Sequence, residues 1–249
     1  MKTTQLLPAI LIFIMLISAC EKNNQNPSPD INNFAIPVWA WDFGQNMQFS
    51  SAPVPAIDEQ NNSFFIIQSD TGLILLSLDQ NGVKRWSVEK HFAGFVNSSG
   101  SVILSGNNLY FYSGRIVYCY NKENGEEIWN YEVDFPASTI HNLLIKSSEV
   151  WLTYVESGQI ILQKLNSNGL KEWYVNYPYY STNLGMSSFG DKLILLNKDL
   201  YEYHVDILSV SMMDGSIYWT SKPDIESAGA DPVIDSEGNI YFSTYEGDL

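Results

Sequence analysis

The chain has 249 residues, of which 45% are hydrophobic and 14% aromatic, so it carries enough apolar surface for a sizeable folded core. Asp and Glu number 28 against 13 Lys and Arg, which gives a formal net charge of −15 at pH 7. Such a surface repels nucleic acids and anionic lipid headgroups at long range, which argues against DNA or RNA as a partner. We attribute the acidity to solubility in an extracytoplasmic compartment.

Residues 1–19 predict an export signal, and Cys20 predicts a lipid anchor. Lys2 supplies a positive start, and residues 6–17 form an apolar core that is too short to span a bilayer comfortably. The sequence ISAC that ends at Cys20 resembles the bacterial lipoprotein signal, in which cleavage leaves an N-terminal Cys that carries diacylglycerol. The resemblance implies a mature chain anchored in a membrane through Cys20. The alternative is a plain secretory signal whose cleavage leaves a free Cys.

Residues 20–34 predict a flexible tether between the membrane and the folded domain, which we expect to span 35–249. The stretch EKNNQNPSPDINN is polar, rich in Asn and Pro and nearly free of apolar groups, so it cannot bury enough surface to become ordered. Glu21 follows the Cys, rather than the Asp that resembles an inner-membrane retention signal in enteric bacteria. We therefore predict an outer-membrane location in the bacterial cell envelope.

One six-residue phrase recurs four times and predicts a repeated unit. Its rule is Asn or Asp, Gly, three residues and Trp, with intervals of 43, 44 and 46 residues between successive Trp residues. Periods of this length indicate repeated supersecondary units. Asn-Gly and Asp-Gly tolerate positive φ at both turn positions, so each copy predicts a hairpin with a two-residue type I′ turn. The copies are Asn81-Gly82 before Trp86, Asn124-Gly125 before Trp129, Asn168-Gly169 before Trp173 and Asp214-Gly215 before Trp219.

The strand before each of these turns is apolar on both of its faces. The four strands read LILLSLD, IVYCYNK, IILQKLN and VDILSVSM. Because successive strand residues point to opposite faces, each small sheet must be covered on both sides. Blades that stack radially meet this need, whereas a free-standing sandwich requires a wet outer face. We therefore predict an all-β fold, a β-propeller of four-stranded antiparallel blades whose outer strands carry the Trp residues.

About four and a half blades are predicted. The segment Pro55 to Leu76 is matched by Pro232 to Leu249, so a fifth blade begins near the C-terminus and stops before its third strand. Trp39 lies in a strand-like segment without a preceding hairpin, as an N-terminal strand that completes the last blade would. We predict a C-terminally truncated piece of a larger ring. The alternative is a five-bladed ring with an irregular last blade.

The phrase LSLDQNGVKRW resembles the tryptophan-docking repeat of pyrroloquinoline-quinone-type propellers, and the resemblance covers Trp39 to Leu249. It implies that a Leu- and Tyr-rich strand, an Asp, a Gly turn and a Trp lock each blade to its neighbour. We expect the repeated Trp residues to pack between blades and the Gly residues to serve backbone geometry. Many members of this superfamily bind no quinone, so the resemblance by itself implies no cofactor.

The candidate catalytic side chains point to no common site. His91, His141 and His204 lie at different distances after the Trp of their blades. Cys119 lies in an apolar run and is expected to be a small buried hydrophobe. It has no neighbouring Cys of the kind that quinone dehydrogenases of the resembling family place over their cofactor. We predict a protein that is not an enzyme, with no cofactor and no metal site.

The remaining candidates are surface features. The loops NYPYYSTN (176–183) and KHFAGF (90–95) either form an exposed adhesive patch or pack over blade edges. Glu126 and Glu127 are interpreted as solvated turn charges. The repeat is also similar to that of the propeller lipoproteins of outer-membrane β-barrel assembly, which implies a non-catalytic scaffold that binds other envelope proteins. The alternatives are a quinoprotein-type enzyme whose funnel site is completed by missing C-terminal blades, and a surface glycan-binding lipoprotein.

Overall fold

The structure is a computed structural model, and it describes residues 54–69, 72–91, 101–135, 138–199, 204–225, 228 and 231–244. All of them belong to the second of the two units into which the chain divides, Phe43–Leu249. The predicted signal, Cys20, the tether and Trp39 lie outside the described residues. Every regular element within them is a β-strand, and none of these residues forms a helix that could cross a membrane.

The strands form four antiparallel blades and the beginning of a fifth, which confirms the predicted architecture. Blade 1 comprises β1 (Ala56–Ile57), β2 (Ser63–Ser69), β3 (Gly72–Leu78) and β4 (Lys84–His91). Blade 2 comprises β5 (Ile103–Ser105), β6 (Asn108–Ser113), β7 (Ile116–Asn121) and β8 (Glu127–Glu132). Blades 3 and 4 comprise β9 (Ile140–Lys146), β10 (Glu149–Glu156), β11 (Gln159–Leu165), β12 (Lys171–Phe189), β13 (Lys192–Asp199), β14 (Val205–Ser211) and β15 (Ile217–Ser221). Blade 5 is represented by β16 (Val233–Ile234) and β17 (Ile240–Tyr241).

Blades 3 and 4 share one long strand. β12 has 19 residues, and its first half pairs with β11 as the outer strand of blade 3. Its second half pairs with β13 as the inner strand of blade 4, with the change of partner between Tyr180 and Ser181. The two blades are therefore one seven-stranded sheet, joined by continuous backbone.

The hydrophobic core is divided into one cluster for each junction between blades. The middle strands are buried along nearly their whole length, and all seven residues of β14 are buried. Successive residues of a middle strand serve two clusters: Tyr110 of β6 and Cys119 of β7 face blade 3, whereas their neighbours Phe111 and Tyr118 face blade 1. This arrangement confirms for blades 2, 3 and 4 that a blade is covered on both faces by its neighbours.

The Gly turns differ from the predicted type I′ geometry. Only Gly82, Gly125, Gly169 and Gly215 have positive φ, between 72° and 77°, and the Asn or Asp before each does not. In blades 1 and 3 the Gly N–H donates to the residue three positions earlier, which is a type I turn followed by a left-handed Gly at a bulge. In blades 2 and 4 the loop is one residue longer.

The physical reason for this difference is an earlier polar residue that the Asn-Gly signal does not reveal. In blade 1 the Asp79 carboxylate accepts the backbone N–H groups of Asn81 and Val83, both at 2.8 Å. Asn166 does the same in blade 3 for Asn168 and Leu170. These side-chain bonds stabilise the type I conformation and leave only the Gly in the left-handed region.

Candidate functional site

The first three repeated Trp residues, Trp86, Trp129 and Trp173, each pack on the Gly turn of the next blade. The indole of Trp86 covers Gly125, where an added Cβ would lie 2.7 Å from the ring, and its N–H donates to the carbonyl of Lys122 at 3.0 Å. Trp129 covers Gly169 in the same way and donates to the Ser167 carbonyl at 3.0 Å. The Gly residues therefore have a second role besides their φ, because any side chain there would collide with the indole.

The junction between blades 3 and 4 is built differently. Trp173 lies against Gly215, but its buried indole N–H has no hydrogen-bond partner in the described part of the chain. The corresponding acceptor is the carbonyl of Met212, three residues before the Gly, and it takes the indole N–H of Trp151 at 3.2 Å instead. Trp151 lies on β10, outside the repeated phrase, and sequence reasoning did not single it out.

Beside Trp151 the two blades enclose a groove of about 510 Å³, which we call the blade 3–4 groove. It opens at the end of the blades where the Gly turns lie. Trp151 is buried at its base, whereas Met213 is 81% and Tyr218 50% exposed. Its lining comes from β9–β11 and the β9–β10 turn on one side and from the two hairpin turns of blade 4 on the other: Lys146, Ser147, Glu149, Trp151, Lys164, Asp191, Ser211, Met212, Met213, Asp214, Ser216 and Tyr218.

The ammonium groups of Lys146 and Lys164 both contact other groups of the protein. Lys164 forms ion pairs with Glu149 at 3.0 Å and with Glu172 at 2.9 Å, and it lies 5.3 Å from the centre of a Trp151 ring. Burial by itself would lower the pKa of Lys164, but the two carboxylates raise it, so the group stays charged. Lys146 donates to the Gly190 carbonyl.

Two carboxylates of the groove are exposed and form no ion pair with another described residue. Asp191 is in the β12–β13 turn, and Asp214 is in the Gly turn of blade 4. The carboxylate of Asp214 accepts the backbone N–H of Ser216 at 3.1 Å and its hydroxyl at 2.8 Å, which lowers the pKa of Asp214. The groove is therefore lined by three carboxylates, of Glu149, Asp191 and Asp214, and by the two ammonium groups of Lys146 and Lys164.

The hairpin that borders the groove is strained. Ser147 and Ser148, at the β9–β10 turn, have φ of 52° and 63°, in the left-handed region. In the corresponding turns of blades 2 and 4 the first left-handed position is a Gly, namely Gly106 in blade 2 and Gly190 in blade 4. A non-Gly residue in this region costs about 1–3 kcal/mol. The β10–β11 turn also has two successive left-handed positions, Ser157 and Gly158, but among the described hairpins only the β9–β10 turn has such a pair without a Gly.

Two hydrogen bonds connect inner strands to neighbouring blades. The Tyr112 hydroxyl donates to the His141 carbonyl at 2.8 Å, which ties blade 2 to blade 3. Met186 donates its backbone N–H to Asp231 at 3.0 Å, which ties blade 4 to the start of blade 5. Burial, with a smaller contribution from the Asp231 charge, raises the pKa of Tyr112 to about 12, so this hydroxyl stays protonated.

The structure does not bring the three histidines together. His91 ends β4 in blade 1, His141 is in β9 of blade 3, and His204 precedes β14 of blade 4, where it contacts buried Asp206 at 2.8 Å. Within the described residues, no group of three or more His, Cys, Asp or Glu side chains is placed to hold a metal ion. Cys119 is fully buried as expected, and burial raises the pKa of its thiol to about 11.

The structure corrects the interpretation of Glu127 and agrees, at Tyr177, with the packing alternative for the Tyr-rich loop. Glu127 is not a solvated turn charge: it begins β8, pairs with Lys90 of blade 1 and accepts the Tyr120 hydroxyl at 2.9 Å. Of the Tyr-rich loop, Tyr177 is 2% exposed and donates to the Gly215 carbonyl at 2.7 Å, so this residue packs between blades. The side chains of residues 178–184 and the segment 92–95 lie outside the described part of the chain.

Solved propellers share this architecture at low sequence identity. A Dos1 propeller aligns with a TM-score of 0.59 and 10% identity, over 78% of this chain and 53% of its own, which supports the fold. BamB from Moraxella catarrhalis aligns with a TM-score of 0.45 and 17% identity, over 78% of this chain and 71% of its own. A prolyl endopeptidase aligns with a TM-score of 0.49 and 11% identity, over 75% and 29%.

The sequence comparisons give the family. No curated protein matches this chain. The family model described as outer membrane protein assembly factor BamB matches residues 70–249, which is most of the chain and includes all four repeated Trp residues. The match agrees with the tryptophan-docking contacts and the four-stranded blades. The chain therefore belongs to the BamB family of PQQ-like β-propellers.

Proposed function

We propose that this protein is a non-catalytic scaffold of the bacterial cell envelope, lipid-anchored through Cys20 and exposed to partners at the outer membrane through its blade turns. The observation that carries the proposal is the family match over residues 70–249, whose description is an outer membrane protein assembly factor. The repeated Trp and Gly residues are used in packing between blades, so the surfaces available to partners are the turns, the grooves between blades and the outer strands.

The partner test is in-cell crosslinking followed by affinity purification from detergent extracts, with the tagged full-length protein. We expect one or more envelope proteins to be recovered in stoichiometric amounts. The matched control is an unrelated tagged lipoprotein with the same first 34 residues. Recovery of the same proteins with that control, or of none with this chain, would remove the scaffold proposal.

The anchor is tested separately. Replacement of Cys20 by Ser should abolish incorporation of labelled palmitate and move the protein from the membrane fraction to the soluble fraction, because one acyl-bearing Cys is the only predicted attachment. A Cys119→Ser variant is the control, since that buried thiol is inaccessible to modification. Labelling that persists in the Cys20→Ser variant would show that the lipoprotein signal was misread.

A further inference from the structure

The Asn-Gly pairs of the turns have a chemical reactivity that packing between blades does not use. In such a pair the backbone nitrogen of Gly can attack the side-chain carbonyl carbon of Asn, because Gly has no side chain that hinders the approach. The sequence contains three of these pairs, Asn81-Gly82, Asn124-Gly125 and Asn168-Gly169. All three Asn residues are exposed, so water reaches each turn.

The reaction is a deamidation that needs only water. A bond forms between the Gly nitrogen and Cγ of Asn, the bond from Cγ to the side-chain amide nitrogen breaks, and ammonia leaves with the proton that the Gly nitrogen loses. Water then opens the resulting cyclic imide. Attack at the former backbone carbonyl leaves the chain linked through Cγ, which is isoAsp, whereas attack at Cγ restores the ordinary backbone and leaves Asp.

The attacking nitrogen is held alike in the three turns, but the Asn side chain is not. Gly82, Gly125 and Gly169 each donate their N–H to a backbone carbonyl of their own turn, at 2.9, 2.9 and 3.0 Å. The side chain of Asn124 is fixed by Glu126. Its amide nitrogen donates to the Glu126 carboxylate at 2.8 Å, and its oxygen accepts the Glu126 backbone N–H at 3.0 Å.

Of the three side chains, that of Asn168 is the least restrained. The side chain of Asn81 forms a hydrogen bond with the Asp79 carboxylate. Asn168 donates its backbone N–H to Asn166 at 2.9 Å, and its side chain has no hydrogen-bond partner among the described residues. Its Cγ can therefore turn towards the Gly169 nitrogen without the loss of such a bond. A hydrogen bond that must break first slows a reaction by about two- to tenfold.

The two products would differ in their effect on the junction of blades 2 and 3. Blade 4 has Asp214 directly before its Gly, so an Asp is compatible with this kind of turn. IsoAsp instead lengthens the backbone by one carbon atom just before Gly169. The indole of Trp129 covers Gly169 and donates to the Ser167 carbonyl at 3.0 Å. A longer backbone between these two contacts cannot keep both in place.

We propose that Asn168 is the Asn-Gly site at which the folded protein deamidates fastest, and that its isoAsp product releases Trp129 from the Gly turn of blade 3. This modification site goes beyond the scaffold function, because its chemistry depends on the turn and not on any partner.

The test is incubation of the purified full-length protein in detergent, at mildly alkaline pH in heavy-oxygen water, followed by trypsin digestion and tandem mass spectrometry. Each deamidation event introduces heavy oxygen, and fragmentation identifies the residue and distinguishes isoAsp from Asp. We expect Asn168 to react about two- to tenfold faster than Asn81 and Asn124 in the folded protein, and all three to react at similar rates in urea. No faster reaction at Asn168, or the same preference in urea, would overturn the proposal.

Paired variants test the role of the side-chain hydrogen bonds. Glu126→Ala removes the carboxylate that holds Asn124, and Glu123→Ala is its control in the same turn, because the Glu123 carboxylate pairs with Arg85 at 2.6 Å. We expect Glu126→Ala to accelerate deamidation of Asn124 by about two- to tenfold, with Asn168 unchanged, and the control to change neither rate. An unchanged rate at Asn124 in Glu126→Ala would contradict the proposed cause.

The effect on Trp129 is measured on protein aged in the same way. Brief proteolysis at increasing urea concentrations digests the unfolded molecules, and mass spectrometry then counts isoAsp at position 168 among the survivors. Molecules with isoAsp should be digested at lower urea than unmodified ones, whereas the Asn168→Asp variant should resist as the unaltered protein does. Equal resistance of the isoAsp molecules and the Asn168→Asp variant would overturn the release of Trp129.

Discussion

Replacement of Gly169 by Ala tests the docking of Trp129 at the junction of blades 2 and 3. The new Cβ would lie 2.5 Å from Cδ2 and 2.6 Å from Cε3 of the indole, whereas carbon atoms in contact are normally about 3.5–4.0 Å apart. The ring must therefore move, which disturbs its hydrogen bond to the Ser167 carbonyl. Overpacking of this kind costs about 1–3 kcal/mol.

The backbone adds a second cost that a control can isolate. Gly169 has φ of 75°, and a left-handed conformation costs an L-residue about 1–2 kcal/mol. Gly106 has φ of 59° and no atom within 4 Å of an added Cβ, so Gly106→Ala carries the backbone cost alone. We expect Gly169→Ala to lower the free energy of unfolding by about 2–5 kcal/mol and Gly106→Ala by about 1–2 kcal/mol.

The assay is urea unfolding of the full-length protein followed by far-ultraviolet circular dichroism, with indole fluorescence as a second probe. The difference between the two variants should be about 1–3 kcal/mol, the contribution of the Trp contact. In addition, the fluorescence maximum of folded Gly169→Ala should shift to the red, because the displaced Trp129 is more exposed. Equal losses of stability in the two variants would show that the indole does not constrain this position.

Three further predictions concern other parts of the fold. Trp86→Phe should lower the free energy of unfolding by about 1 kcal/mol more than Trp173→Phe in the same urea assay, because only Trp86 loses a made hydrogen bond; equal losses would contradict the unpaired Trp173 indole. Ser147→Gly should raise the melting temperature, since it relieves a left-handed non-Gly residue, and a lower melting temperature would refute the strain. Burial would raise the pKa of Glu127, but hydrogen bonds from Lys90, Asn130 and Tyr120 lower it below 4.5. Glu127 therefore stabilises the fold at a pH above the pKa that it has in the unfolded chain, and this stabilisation is lost as the pH falls through its lower pKa in the folded chain. In an acid titration the Glu127→Gln variant should therefore show a shallower loss of stability below about pH 4.5.

The repeat was predictable because it depends on periodic residues. Gly, Trp and the two-faced apolar strands recur in every blade, and blade packing needs each of them once per blade. The sequence phrase also implied that Trp locks neighbouring blades, and the contact of Trp86 with Gly125 confirms it. These features follow from local backbone geometry and from a burial pattern that can be seen in the sequence.

What could not be predicted depends on side chains that meet across blades. The type of Gly turn is set by Asp79 and Asn166, whose hydrogen bonds compete with the type I′ geometry that Asn-Gly favours by itself. The Met212 carbonyl, which corresponds to the acceptor of the repeated Trp in blade 1, accepts the indole N–H of Trp151 and not that of Trp173. Nothing in the local sequence of Trp151 predicts this difference. The blade 3–4 groove likewise combines residues from separate hairpin turns, such as Ser147 and Asp191, that are distant in the sequence. One feature of the sequence that distinguishes this groove is the Ser-Ser pair of the β9–β10 turn, because two other blades have a Gly at the first position of that turn.

Because the single strand β12 belongs to two blades, the blades should not all separate in the same way when the protein unfolds. Blades 1 and 2, and blades 2 and 3, are joined mainly by side chains, which can separate by modest sliding. Between blades 3 and 4 the backbone of β12 continues without a break through Tyr180 and Ser181, from its ladder with β11 into its ladder with β13. The segment Ile140–Ser221 should therefore open as one cooperative block, with slow amide exchange across its centre, while the edges of the earlier modules fray first.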